Sequence, residues 1–164
     1  MLDPKRPSES TVEMNELILP QHTNSLGGAF GGVIMSWIDI AAALTAKRHA
    51  RRVCVTASMD QLDFIAPIRE DELVTLKAMV NAVGRSSMEV GVRVEAEDTL
   101  TGERRHAASA YLTFVALDDQ GKPTEVPKLL IENEVQALRL KEAEARREQR
   151  LALAEARKRL QREH

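Results

Sequence analysis

The chain has 164 residues, 43% hydrophobic and 3% aromatic, with 23 Lys+Arg against 25 Asp+Glu for a formal charge of −2. A chain of this length buries roughly two-thirds of the surface its unfolded form exposes, so one domain can fold without a disulfide framework or a structural metal. Residues 1–127 hold 13 basic and 18 acidic side chains and residues 128–164 hold 10 and 7; neither part is a dense basic face with aromatic stacking positions, so nucleic acid is not an expected partner. One cysteine, Cys54, and a polar opening, MLDPKRPSES, without the apolar run of a secretory signal, point to a reducing, cytoplasmic setting.

In chain order, residues 1–10 read as a flexible lead. Thr11 to Leu19 alternates in part and stops at Pro20, which predicts a strand. Leu26 to Ala46 reads LGGAFGGVIMSWIDIAAALTA, with a single charge at Asp39 and four glycines in its first seven positions. That leaves roughly 15 residues of apolar helix, about 22 Å at the helical rise, too short for a bilayer. The expectation is a helix over Phe30 to Ala46, buried on nearly all sides by its own protein. Four strands should follow: Val53 to Phe64, Glu72 to Val83, Met88 to Glu97 and Arg105 to Leu117. In the third, Met88, Val90, Val92, Val94 and Ala96 share one face and Glu89, Arg93, Glu95 and Glu97 the other; in the fourth, Ala108, Ala110, Leu112 and Phe114 point inward. Short connections suit antiparallel neighbours, so the class is α+β, a sheet against a single apolar helix. Residues 11–127 form that domain. From Lys128 to His164, alternating charges with Leu and Ala and no Gly or Pro predict an extended, solvated helix. Its apolar positions keep no strict heptad, which disfavours a coiled coil.

Asp39 is the anomaly of the apolar helix. A buried carboxylate must be paired, hydrogen-bonded, protonated or open to a cleft. It is either a sheltered structural acid or a general base. The run Gln21 to Gly28 precedes the helix, and Gly31-Gly32 fall where its first turn starts. Unpaired N–H groups there have the geometry of an oxyanion hole, although glycines before a helix are also simple turn or packing devices. Asn24 is a candidate donor at that rim or a turn residue. His22 beside a proline turn reads as a surface residue. The histidines His22, His49, His106 and His164 show no ligand spacing, so no metal is expected. Gly84-Arg85-Ser86-Ser87 reads as a tight hairpin turn whose arginine and hydroxyls could meet phosphate oxygens.

Together, HTNSLGGAFGGVIMSWIDIAAALTAKRHA, VCVTASMDQLDFIAPI, GRSSMEV and TFVALDDQGKP, in this order over Val12 to Pro127, resemble the hotdog-fold acyl-CoA thioesterases of the acyl-CoA hydrolase type. The resemblance implies a hotdog fold, a curved antiparallel sheet wrapped around a long central helix, here with a C-terminal helical extension. It also implies dimers with active sites at the interface, assembled further as trimers of dimers, a homohexamer. The family's catalytic pair falls on Asn24 and Asp39, one from each chain, with the Gly32 N–H as oxyanion donor and Gly31 beside it. Arg85, Ser86 and Ser87 match a turn that contacts coenzyme A, and Thr56, Ala57 and Ser58 border the pantetheine channel. The implied reaction is hydrolysis of acyl-CoA to a fatty acid and free CoA, a step of fatty acid metabolism. Asp39 would be general base or nucleophile. Coenzyme A would enter only as part of substrate and product, with no other cofactor and no membrane partner. A non-catalytic acyl-CoA-binding regulator is the alternative. A hotdog dehydratase would need a catalytic histidine on the helix, and none lies within Phe30 to Ala46.

Overall fold

The computed structural model describes residues 1–163, so His164, one of the four histidines, lies outside the described residues. The elements are β1 (Val12–Leu17), α1 (Gly31–Ala50), β2 (Val53–Phe64), β3 (Leu73–Val83), β4 (Ser87–Glu97), β5 (Arg104–Leu117) and α2 (Glu134–Arg162), with short 3-10 turns at Pro7–Glu9 and Pro20–His22. The strands make one antiparallel sheet in the order β1-β3-β4-β5-β2. The expected α+β hotdog architecture is therefore present, with the four long strands within one residue of their predicted bounds. Consecutive strands are not all neighbours, however. The short β3–β4 and β4–β5 turns force those pairs together, so β2 takes the remaining edge of β5, and residues 65–72 carry the chain across to β3.

The alternation read from the sequence decides which face is dry. Val74, Leu76, Ala78 and Val80 of β3, the predicted inward residues of β4, and Ala108, Ala110, Leu112 and Phe114 of β5 are all buried. They pack against Ile34, Ile38, Ala41, Ala42 and Ala46 of α1 in one apolar cluster. Area removed from water is the driving term here, at roughly 25 cal/mol per Å² of apolar surface.

Three expectations need correction. First, α1 is not covered all round by its own chain: Met35, Ile40 and Leu44 are 41%, 48% and 43% exposed. A five-stranded sheet from one chain covers only part of a helix's circumference, so the opposite stripe stays open unless another surface meets it. Beside it, the edge strand β2 also exposes Val53 and Val55. Second, α1 runs past Ala46 to Ala50, and Arg51 closes it in the left-handed conformation (φ 53°) with its N–H on Lys47 O at 2.7 Å. His49 therefore does lie on the helix. It is fully buried, its Nε2 2.7 Å from Pro127 O, and burial lowers its pKa, so it acts as a core residue. It sits ten residues, about 15 Å of helical rise, from Asp39.

Third, the two ends are docked. In the lead, Lys5 N–H donates to Lys128 O (2.9 Å) and Leu130 N–H to Lys5 O (2.8 Å), while Lys5 Nζ donates to His49 O (2.9 Å) at the negative end of α1. Pro7 and Ser10 are buried. In the tail, Asn133 caps α2 by accepting from Gln136 N–H at 2.9 Å, Gln136 is buried over Glu132, and Ala143 is buried beside the β3–β4 end of the sheet. The docked stripe is narrow: Val135 and Leu138 in the first half of α2 and Leu151, Leu153 and Leu160 in the second are each more than half exposed, so the rest of α2 matches the solvated helix expected. Among the described residues, no helix is long and apolar enough to cross a membrane.

Candidate active site

Asp39 sits midway along α1 at the border of its buried stripe and is half-buried. Its Oδ1 accepts the Thr56 hydroxyl of β2 at 2.8 Å. Among the described residues it makes no ion pair, and its second oxygen has no partner. The carboxylate is thus oriented by one neutral hydrogen bond, with one oxygen left to hold a water. Beyond the channel-bordering position that the resemblance implies for Thr56, its side chain contacts the acid itself. Strand alternation places it there, because β2 crosses α1 and a β-bulge follows directly. The register with β5 shifts between Thr56 and Ser58, leaving Ala57 as the extra, exposed residue. Ser58 is brought elsewhere, its hydroxyl donating to Asp60 Oδ1 at 2.6 Å.

Asn24 closes a tight loop before α1. Its Oδ1 accepts the N–H groups of Leu26 (2.9 Å) and Gly28 (3.3 Å), and Gly27 adopts φ +77°, a conformation that favours glycine. The turn reading of Asn24 is therefore correct as far as its oxygen goes. Fixing the oxygen also fixes the amide nitrogen, which is left exposed to solvent as a donor. The loop is stitched to the β2–β3 connection through Ala29 N–H on Ile68 O at 2.7 Å. Glu72 braces that connection. It accepts from Arg69 N–H at 2.6 Å and pairs with Arg105 (2.7 Å), which also donates to Pro67 O. The Arg105 guanidinium holds the Glu72 carboxyl below its ordinary pKa.

Phe30 is the N-cap of α1 and offers no capping side chain, and among the described residues the N–H groups of Gly31 and Gly32 have no partner. A Cβ at Gly32 would come within 2.8 Å of the Phe30 ring, so the glycine keeps that N–H approachable. Next to it an open groove of about 400 Å³ is lined by Ala29, Gly31, Ile34, Phe64 and Ile65. His22 is structural: its Nδ1 accepts from Leu19 N–H (3.0 Å) and its ring stands edge-on to Trp37 at 5.1 Å.

The chain alone does not assemble all these groups around one reacting atom. Gly32 and Asp39 are seven residues apart on one helix, about 10 Å of rise. A carbonyl oxygen and the water attacking its carbon lie about 3 Å apart. The Arg85-Ser86-Ser87 turn, at the β3–β4 hairpin, is a third separate location.

Residues 26–103 match the thioesterase superfamily. The uncharacterized acyl-CoA thioester hydrolase YkhA of Bacillus subtilis is 49% identical over 126 residues, covering 77% of this chain and 73% of that protein. An acyl-CoA hydrolase from Staphylococcus aureus, solved with butyryl coenzyme A, coenzyme A and coenzyme A disulfide, superposes with a TM-score of 0.89 at 42% identity, covering 95% of each chain. Alanine variants of that enzyme at an asparagine, an aspartate and a threonine have also been solved. A hexameric acyl-CoA thioesterase superposes at 0.90 with 39% identity over 93% of this chain and 98% of that one. Fold and sequence thus place the protein among the hotdog thioesterases. Within them, the chain belongs to the acyl-CoA thioester hydrolase family.

Proposed function

We propose that the protein hydrolyses acyl-CoA thioesters to a carboxylic acid and free CoA, with Asp39 as general base. The observation that carries this reading is a half-buried carboxylate on an apolar helix, oriented by the Thr56 hydroxyl and, among the described residues, held by no cation. Such a group has one oxygen available to take a proton from water as it attacks. The three residue types altered in the Staphylococcus aureus enzyme lie fifteen and seventeen residues apart there, the same spacing as Asn24, Asp39 and Thr56 here.

The oxyanion donors would be the Asn24 amide nitrogen and the Gly32 N–H at the positive end of α1. The separation of Gly32 from Asp39 along one helix argues that a site takes its base from one chain and its donors from the other. Two copies joined at the β2 edge, with the Met35, Ile40 and Leu44 stripes facing each other, would bring opposite ends of two α1 helices together. That contact would also cover the apolar surface one chain leaves open. The groove beside Gly31 and Phe64 offers apolar cover for part of the acyl group. A hexameric neighbour supports higher assembly as trimers of dimers.

Free-thiol release measured across short, medium and long acyl-CoAs tests the reading. Asp39→Asn should lower the rate by roughly 10²–10⁴-fold with the fold unchanged. Tight acyl-CoA binding without thiol release would identify a non-catalytic acyl-CoA regulator instead. A nucleophilic carboxylate would show ¹⁸O from solvent entering Asp39 over repeated turnovers.

A further inference from the structure

Helix α2 carries three arginines within one turn and a half, and only two are used to dock it. Arg146 pairs with Glu89 at 2.7 Å and stacks on Tyr111 at 3.7 Å, and Arg150 pairs with Asp60 at 3.1 Å. Arg147 lies between these anchors, is exposed, and among the described residues has no hydrogen bond or ion pair. Its guanidinium reaches the β3–β4 turn: Nη1 is 3.5 Å and Nη2 3.8 Å from where a Cβ would stand on Gly84. Arg85 of the turn and Lys128 are likewise unpaired among the described residues, as are the Ser86 and Ser87 hydroxyls.

Two grooves meet at this turn. One, of about 390 Å³, includes Arg85, Glu125 and Lys128; the other, of about 90 Å³, includes Ser87, Glu144 and Arg147. Glu89 and Arg150 also line the second groove but are paired, and among the described residues three unpaired cations stand against two unpaired acids, which leaves a positive balance. Guanidinium groups and hydroxyls arranged this way suit phosphate oxygens. The sheet register fixes the distance to the proposed site. Ser87 lies opposite Val115, and Val115 opposite Val55, the neighbour of Thr56. Two strand spacings of about 4.8 Å put the turn roughly 10 Å from the strand that orients Asp39. In acyl-CoA, the pantetheine arm separates the thioester from the nucleotide phosphates by a comparable or larger span.

We propose that α2 is part of the substrate site, with Arg147 and Lys128 contacting the nucleotide phosphates of acyl-CoA beside the Arg85 turn. This rests on the thioesterase reading and assigns the tail a role in recognising the substrate's nucleotide end. The docking pairs on either side of Arg147 hold it in place.

The test compares butyryl and lauroyl thioesters of CoA, 3′-dephospho-CoA and pantetheine, together with calorimetric binding of free CoA. Arg147→Ala should raise KM for acyl-CoA and Kd for CoA about tenfold, the worth of one charge-assisted contact, with kcat unchanged. It should leave acyl-pantetheine hydrolysis and the melting temperature as in the parent, and Arg147→Lys should restore most of the loss. A penalty that persists on the 3′-dephospho thioester assigns the contact to the pyrophosphate, and one that vanishes assigns it to the 3′-phosphate. Parent-like KM and Kd in Arg147→Ala overturn the inference, as does an equal loss on acyl-CoA and acyl-pantetheine. If no thioester is hydrolysed by the parent, the thioesterase reading fails, while the CoA titration still decides the arginine's role.

Discussion

The two faces of the sheet are covered by two helices held by different physics. On the inner face α1 meets the strands through Ile34, Ile38, Ala41 and Ala42 and, among the described residues, without an ion pair. On the outer face α2 is fastened by Arg146 on Glu89 and Arg150 on Asp60, with Ala143 as its one buried apolar side chain. Apolar burial is non-directional and tolerates one polar residue at its margin, which is how α1 can carry Asp39. An ion-paired contact fixes register instead, and the structure has shaped the sheet around it. Asn81 is the extra residue of a β-bulge, donates to Glu89 at 3.1 Å, and fits because Gly91 has no side chain: a Cβ there would stand 2.6 Å from its amide.

The sharpest way to break this comparison is at the carboxylate of the dry helix. Co-expression of Asn24→Ala and Asp39→Asn chains, each inactive alone by about 10²-fold or more, should yield mixed dimers with one intact and one doubly altered site. Those dimers should recover close to half the parent activity per dimer. Purified mixed dimers that stay inactive would show that base and oxyanion donors come from the same chain.

The next test sets one helix against the other. Ile38→Ala should cost about 2–5 kcal/mol by denaturant titration, because a fully buried side chain leaves a cavity. Arg146→Ala should cost about 3 kcal/mol by leaving the Glu89 carboxylate, 7% exposed, without its partner. The double variant Glu89→Met with Arg146→Leu should recover most of that loss, since an apolar pair of similar size replaces a desolvated ionic one. Hydrogen exchange in Arg146→Ala should rise along α2 and stay low in α1. Equal loosening of both helices would mean that the two faces are not independent.

These contrasts also mark what was legible in the sequence. The inner face was, because burial leaves a periodic trace: the inward residues of β4 and β5 and the core of α1 were readable from spacing alone. The outer face was not. Glu89, Asp60 and Arg146 look like ordinary solvated charges, and only the fold brings Glu89 to Arg146, 57 residues away. Composition likewise could not reveal that the polar lead caps α1 through Lys5, or that His49 continues the helix. At the candidate site, Asp39 stood out as a charge in an apolar run, and Asn24 and Gly32 through the turn before a helix. The Asp39–Thr56 contact left no local signal, since it joins a helix position to a strand position that only packing aligns.

The brace of the β2–β3 connection has its own pH signature. Glu72 titrates below its ordinary 4.5 because Arg105 favours its charged form. Its contribution is therefore full above the unfolded-state value and is lost as pH falls through the lower folded-state value. Glu72→Gln should be less stable by roughly 1–3 kcal/mol at pH 7. The gap to the parent should narrow progressively as pH falls below the ordinary 4.5, the parent showing the steeper acid limb in denaturant titrations. A constant gap down to pH 3 would remove Glu72 as a titrating brace.

The smallest expected effect lies at the far end of α2. Leu160 is 60% exposed, so Leu160→Ala removes little buried area and should change stability by no more than about 0.5 kcal/mol in an isolated chain. If the end of α2 is covered in the assembled protein, the cost should instead appear as concentration-dependent dissociation in sedimentation, with Leu151→Ala and Leu153→Ala behaving alike. A shift in subunit association without a shift in the unfolding midpoint would move this segment from solvent to an interface. The outer face would then serve two purposes, with ion pairs fixing the first half of α2 to its own sheet and leucines of the second half meeting another chain.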